Sequence, residues 1–370
     1  MKVCIVSAYA YYFFSNGKRG RVGGAELDLY YVGKYLVRQS GFDVSFVVAD
    51  FGQNRVEKHE GMTILRSFQL KPTFLNYLIS PFQLFFSLIL ANADVYVCAP
   101  AGPETGLVFF FCKVLRRKFI YRTAHDIDCN REYVQKNGFF GWLYERGLLG
   151  ADAIFTSVKN HEDILHKTYG DRLKNIFFVP YGLEMPETVN KEPDSFVLWV
   201  ARGEKWKNPK LFLDLAESFP ENSFVMIMPK KAEESEFHDL IVSRAKAIPN
   251  VKFIEQVPFP EIQPYFNRAK IFVNTSEYEG FTFTLLQSGI GETPVAYYKV
   301  NPDNIIKDHS LGYCADGDFE KLKSSVGSLL NNENTWKEKS QNIGRYIREC
   351  HSITKNIHIW TDLLRKKFQK

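Results

Sequence analysis

Residues 271–287 read Ile271-Phe272-Val273-Asn274-Thr275-Ser276-Glu277-Tyr278-Glu279-Gly280-Phe281-Thr282-Phe283-Thr284-Leu285-Leu286-Gln287. The apolar start predicts a strand near 270–274 and the apolar run after it predicts a short helix near 283–290, which leaves Glu279 and Gly280 in the turn between. Gly280 lacks a Cβ and lets the backbone approach a ligand closely. Phe281, Thr282 and Phe283 bring their N–H groups to a helix N-terminus, which attracts anions and phosphate above all. Gln287 follows Glu279 by eight positions, about two helical turns, a spacing that places its amide on the same face to meet hydroxyls. After Gly291, Thr293-Pro294-Val295-Ala296 begins another strand. Strand, helix, strand is the repeating unit of a parallel sheet.

The alternation runs outward in both directions. In the first half it predicts strands near 2–7, 43–49, 62–66, 94–98, 118–123, 152–156 and 176–179, with helices near 25–39, 73–91, 104–116, 140–149 and 158–168. In the second half strands fall near 196–200, 223–228, 251–255, 270–274 and 293–297, separated by helices near 208–218, 233–247, 259–268 and 283–290. Consecutive helices follow at 318–330, 334–350 and 354–368. The fold class is therefore α/β: two Rossmann-like, doubly wound parallel-sheet domains facing a cleft, with C-terminal helices packing back. Pro180-Tyr181-Gly182-Leu183-Glu184-Met185-Pro186, extended to Pro193, marks a linker. The expected division is residues 1–185, residues 186–345, and residues 346–370 as a helix crossing back to the first domain. A chain of 370 residues is too long for one ordinary core, which agrees with two domains.

Composition excludes several classes. Hydrophobic content of 45% and charged content of 24% are ordinary for a globular chain. The net charge of +5 permits a patch for phosphate or anionic lipid but does not argue for nucleic acid. The six cysteines are scattered without CxxC spacing, so reduced thiols and a cytoplasmic setting are expected, without disulfides or zinc. Met1-Lys2-Val3-Cys4-Ile5-Val6 reads as a strand and not as a signal peptide. Residues 74–93 are about as long as a bilayer is thick, yet they carry Asn76, Pro81, Gln83 and Asn92. They read as a buried or half-exposed helix pair. The 32 Phe and 19 Tyr imply exposed rings as well as core ones.

Ligands of two open sheets bind outside the carboxyl ends of the strands, so the motifs at strand ends carry the chemistry. Arg202 and Lys207 follow the strand near 196–200, and two cations five apart in a loop can clamp a diphosphate, Arg as a fork and Lys as a point charge. Lys205 between them reads as solvent-facing. In the first half, Gly23-Gly24-Ala25-Glu26 stands at the start of a helix. The loop before it, Tyr9 to Arg21, mixes aromatic rings with Lys18, Arg19 and Arg21, a composition that fits sugar stacking, a lipid headgroup layer, or packing on the domain. His125-Asp126-Ile127-Asp128 ends the strand near 118–123; its Asp-x-Asp pair invites a metal reading that the two-sheet pattern opposes.

Together these motifs resemble retaining GT-B glycosyltransferases of family 4, whose signature is Glu-Gly-Phe, a second acid eight positions after the first, then Gly-x-Pro-Val. Gln287 here stands where that second acid is usual, and Ala201 where the family's Gly-Arg pair has Gly. The resemblance extends from residue 3 to about residue 300, and includes Thr156-Ser157-Val158-Lys159-Asn160 and Val179-Pro180-Tyr181-Gly182. It implies transfer of a sugar from a nucleoside-diphosphate sugar, with retention of configuration, to a lipid-linked or cell-surface glycan. It places Glu279 and His125 at the reacting sugar, and Gly24, Arg202, Lys207, Phe281, Thr282, Phe283 and Gln287 on the donor. Gly23 and Glu26 face the acceptor. No metal or other cofactor is implied, and a cytoplasmic enzyme with peripheral contact at the inner membrane face is expected. An epimerase or phosphorylase of the same fold, or a non-catalytic nucleotide-sugar-binding subunit, remains the alternative.

Overall fold

The computed structural model describes residues 1–15, 23–71, 73–188, 191, 196–230 and 234–368. It divides into two compact units, Met1–Glu184 with Ser352–Lys370, and Met185–His351. The helix Glu333–Cys350 runs unbroken past residue 345, so the chain leaves the second unit at 351–352.

The first unit holds β1 (Lys2–Val6), β2 (Asp43–Val48), β3 (Val56–His59), β4 (Met62–Arg66), β5 (Val95–Cys98), β6 (Lys118–Arg122), β7 (Ala153–Thr156) and β8 (Ile176–Phe178). They form one sheet in the order β3-β4-β2-β1-β5-β6-β7-β8, parallel except where β3 meets β4. Side chains of β1 alternate between two apolar clusters, Val3 and Ile5 on one face, Cys4 and Val6 on the other. Both faces are buried, as a helix-covered parallel sheet requires. Helix Ile353–Phe368 completes one of them with Ile357, Trp360 and Leu364, and Trp360 meets Phe155 edge-on at 4.8 Å.

The second unit holds β9 (Phe196–Val200), β10 (Ser223–Ile227), β11 (Val251–Ile254), β12 (Ile271–Asn274), β13 (Val295–Tyr297) and β14 (Gly312–Cys314), all parallel in the order β11-β10-β9-β12-β13-β14. Winding reverses between β9 and β12 here, and between β1 and β5 in the first unit. At such a switch point the loops leave in opposite directions and open a crevice. Helix Glu333–Cys350 packs on helix Phe283–Ile290 across Gly289, where a Cβ would stand 2.1 Å from Ile347 Cγ1.

Two local expectations are corrected, and one open reading is decided. β3 and β14 are additional strands: β3 is polar and edge-paired, β14 only three residues long, and neither shows a hydrophobic pattern. Residues 74–91 form one continuous helix across Pro81, not a pair, and only Leu84, Ser87 and Leu88 of it are buried. In the 9–21 loop, Tyr11–Phe14 is a short helix that buries Tyr11 and Phe14, and Tyr12 packs on Phe51 at 4.7 Å. These rings belong to the unit's own packing. Lys18, Arg19, Arg21 and, in the linker, Pro193 lie outside the described residues.

Candidate functional site

In the second unit, Val197 stands opposite Ile271 and Leu198 opposite Phe272, so the loops after β9 and β12 leave the sheet side by side. Three hydrogen bonds lace them, and a fourth ties β9 itself to the second loop. Glu277 N–H donates to the Trp206 carbonyl at 2.9 Å, Thr275 Oγ1 to the Lys207 carbonyl at 2.7 Å, Asn208 Nδ2 to Glu277 Oε1 at 3.1 Å, and Trp199 Nε1 to Thr275 Oγ1 at 2.8 Å. Asn208 turns in the left-handed region at φ 52° and starts helix Pro209–Ser218 with Pro at its first position.

The lacing brings Lys207 onto Glu279. Lys207 Nζ donates to Glu279 Oε1, and the two side chains are only 12% and 10% exposed. Ser276 Oγ donates to the same carboxylate oxygen at 2.8 Å. Burial pulls the Lys207 ammonium below the usual lysine range, while the Glu279 charge acts in the other direction. Trp206 and Tyr278 stack at 4.9 Å and 10°, with Lys207 Nζ 3.8 Å from the centre of the Trp206 ring. Arg202 is more open, 39% exposed, with Nη2 3.2 Å from buried Glu204 Oε2. Lys205 is exposed.

Thr282 is the N-cap residue of helix Phe283–Ile290, in extended conformation; its Oγ1 lies 3.0 Å from Tyr297 OH, which leaves the helix start without a side-chain cap. Phe281 packs on His351 at 4.8 Å. Gln287 is buried at 5% exposure, and its backbone carbonyl accepts from Gln263 Nε2 at 2.9 Å. Gln287 and Glu279 do not share a helical face, since helix begins only at Phe283 and Glu279 lies in the preceding turn.

In the first unit, Glu26 caps its own helix Gly24–Leu36: its Oε2 accepts from Gly23 N–H at 3.0 Å. Glu104, after β5 across the switch point from β1, is pushed up by burial and then by the Glu26 charge. His125 follows β6, with Nδ1 accepting from Ile127 N–H at 3.3 Å. The two acids after it point apart. Asp128 Oδ2 accepts from Ala124 N–H at 2.7 Å and His125 N–H at 3.1 Å, whereas Asp126 Oδ1 lies 3.1 Å from Nε2 of buried His161, whose Nδ1 lies 2.8 Å from Thr123 Oγ1. Among the described residues no group of three His, Cys, Asp or Glu side chains converges as a metal site.

Arg202, Lys207 and Glu279 thus share one crevice. Sequence reasoning missed Ser276, the Trp206–Tyr278 stack, Glu104 and His161. One signal was present: Trp206 and Tyr278 each stand one residue before the charged member of the pair. Nothing in the local sequence marked Glu104 or His161.

Residues 183–350 match the family model of Glycosyl transferases group 1, a span that covers almost all of the second unit. No curated protein matches the chain. Among solved structures, sucrose-phosphate synthase from Thermosynechococcus elongatus is similar with a TM-score of 0.81 and 14% identity over 99% of each chain. HepE from Anabaena in complex with UDP-glucose has a TM-score of 0.73 and 13% identity, covering 99% of this chain and 100% of HepE. A glycosyltransferase from Rickettsia africae has a TM-score of 0.74 and 12% identity, covering 100% of this chain and 99% of its own. At such identities the likeness carries the fold, which is GT-B. The family match over the second unit and the fold of the whole chain together support a GT-B glycosyltransferase.

Proposed function

We propose that the chain is a retaining hexosyltransferase of family 4, which moves a sugar from a nucleoside-diphosphate sugar to a lipid-linked or cell-surface glycan. The observation that carries the reading is the meeting of Lys207 and Glu279 where β9 and β12 part, with Arg202 on the same loop. A cation, a carboxylate and the start of helix Phe283–Ile290 in one crevice suit a diphosphate joined to a polyhydroxylated ring. UDP and UDP-glucose are the first ligands to try, because HepE is described in complex with the latter.

In this reading the bond from C1 of the sugar to the diphosphate oxygen breaks, and C1 bonds to an acceptor hydroxyl on the same face. The hydroxyl proton goes to the leaving phosphate. Arg202, Lys207 and the N–H groups of Phe281, Thr282 and Phe283 hold the charge that develops on the diphosphate. Glu279 holds sugar hydroxyls, and Gln287 serves the ribose. His125 orients a sugar hydroxyl: with Nδ1 accepting, the proton of the neutral ring sits on Nε2 and makes that nitrogen a donor. Gly24 lets the backbone approach the donor phosphates, and Gly23 and Glu26 line the acceptor side, Glu26 through the helix start it caps. No metal enters the scheme.

The test is calorimetric titration with UDP followed by mass spectrometry of UDP-glucose incubated with glycan acceptors. Binding with transfer is the expected result. Donor isomerisation without transfer would favour an epimerase, and failure to bind any nucleoside diphosphate would overturn the proposal.

A further inference from the structure

Nearly all the large apolar side chains that stay exposed among the described residues belong to the first unit; only Leu240 and Tyr278 do not. Helix Phe74–Ala91 contains no charged residue. Phe74 is 80% exposed and Phe82 76%, with Leu75 and Leu78 beside them. The helix is long and apolar enough to cross a membrane by length and composition. It nonetheless lies along the unit, because Leu84 and Leu88 are buried, Ser87 Oγ donates to the Arg66 carbonyl at 3.3 Å, and Tyr96 OH donates to the Leu88 carbonyl at 2.8 Å. An apolar helix fastened along one side exposes its other side as a flat hydrophobic strip.

The strip continues onto the neighbouring helices. Tyr77 stacks on Phe140 at 5.7 Å, and Phe139 stacks on Trp142 at 5.6 Å. Beside Trp142 a groove of about 400 Å³ runs between helices Pro103–Val114 and Gly138–Gly150, floored by Phe109, Phe110 and Leu149. Lys113 and Arg146 stand at its edges, Lys113 5.8 Å from the Phe109 ring and Arg146 5.5 Å from the Trp142 ring. Val114, 78% exposed, then leads to Arg116. Lys113, Arg116 and Arg146 are exposed and have no carboxylate within ion-pair reach among the described residues, whereas the neighbouring Arg117 and Lys118 are matched by Asp94 and Asp152.

We propose that this face docks on an anionic lipid bilayer, the strip of helix Phe74–Ala91 and Phe139 entering the acyl boundary while Lys113, Arg116 and Arg146 meet lipid phosphates. Aromatic rings at the depth of the headgroups and cations just above them form the pattern of an interfacial helix. A second copy of the chain fits less well, because a two-fold contact through one patch sets it against itself and brings the same unpaired cations together. The proposal stands apart from sugar transfer and depends only on the first unit's surface.

The experiment is co-sedimentation of the full chain with vesicles of phosphatidylglycerol and phosphatidylcholine, against phosphatidylcholine alone. Binding to the anionic vesicles and little to the neutral ones is expected. Lys113→Gln and Arg146→Gln should each lower it roughly fivefold, the worth of one cation near an anionic surface. That difference should vanish near 1 M salt, where screening acts within about 3 Å. The double variant Phe74→Ser, Phe82→Ser should lose binding at every salt concentration; both positions are exposed, and an unchanged melting curve verifies the fold. A folded chain that ignores anionic vesicles, or that binds neutral ones equally well, overturns the proposal. So does a concentration-dependent dimer, abolished by Phe82→Ser, in a chain that binds no vesicle. UDP titrations on the same preparations show separately whether the nucleotide reading stands.

Discussion

The Lys207–Glu279 pair provides the sharpest test of the site, because its two members should respond in opposite ways. Each side chain is about nine-tenths buried, so removing one partner leaves the other charge with little water to replace it. Breaking a fully buried pair costs about 3–5 kcal/mol, and the residual exposure here brings the expected loss for Lys207→Met to about 2–4 kcal/mol. Glu279→Gln should cost less, about 1–2 kcal/mol, since the amide oxygen can still accept from Ser276 Oγ and Lys207 Nζ. The variant combining both changes should lose less than their sum, a coupling that urea denaturation of all four proteins measures as a double-mutant cycle. Ligand binding separates the roles. Lys207→Met removes a charge-assisted bond to the diphosphate and should weaken UDP binding by about 1.5–3 kcal/mol, a factor of roughly 10 to 150 in Kd. Glu279→Gln releases the ammonium from a competing carboxylate, so UDP binding should hold or tighten while kcat with the sugar donor falls. Calorimetry and a transfer assay at saturating donor read both quantities. If Lys207→Met binds UDP like the wild type, or if Glu279→Gln loses UDP affinity and keeps kcat, the assignment of cation to phosphate and carboxylate to sugar is refuted.

Gln287→Glu should stay folded and retain transfer, at a stability cost of about 1–3 kcal/mol for a buried ionisable group; loss of turnover in a folded variant would contradict the neutral ribose contact given to Gln287. Transfer should survive excess chelator, since Asp128 is engaged by the Ala124 and His125 N–H groups and Asp126 by His161; loss on chelation restored by manganese would contradict it. Lys191, whose Nζ donates to the Ala269 carbonyl at 2.8 Å and Thr293 Oγ1 at 2.6 Å, is held down to about 7 by burial. An unfolded lysine titrates near pH 10.4, so between about pH 7 and that value the unfolded chain binds more protons, and the second unit should gain stability as pH rises. Across that window the difference in denaturation midpoint between wild type and Lys191→Met should shift in favour of the wild type as pH rises, and parallel curves would rule the effect out.

Local pattern sufficed for the elements with strong signals. The helix expected near 283–290 is Phe283–Ile290, and the strand near 196–200 is Phe196–Val200, because each is a short apolar run bounded by turn residues, and an element buried on nearly every side needs no alternation. β3 and β14 left no such trace; edge strands owe their existence to a partner already in place, β4 and β13 respectively. Helix Phe74–Ala91 was legible as helix, but its exposure was not. An apolar stretch reads alike whether it faces a core, a partner or a bilayer.

The same division holds at the site. Local sequence places Arg202, Lys207 and Glu279 beyond strand ends, since each follows an apolar run at a turn, and that is where an α/β chain keeps its ligand-binding groups. It could not determine which ends are neighbours, because strand order is settled by how the two halves of a sheet pack and not by any local interaction. Only the tertiary structure set β12 beside β9 and not beside β11, and so joined residues 207 and 279, 72 positions apart, into one ion pair under the Trp206–Tyr278 stack. It likewise turned Asp126 and Asp128 apart and gave Glu26 to its own helix end, as hydrogen-bonding groups were satisfied by whatever the fold placed within reach.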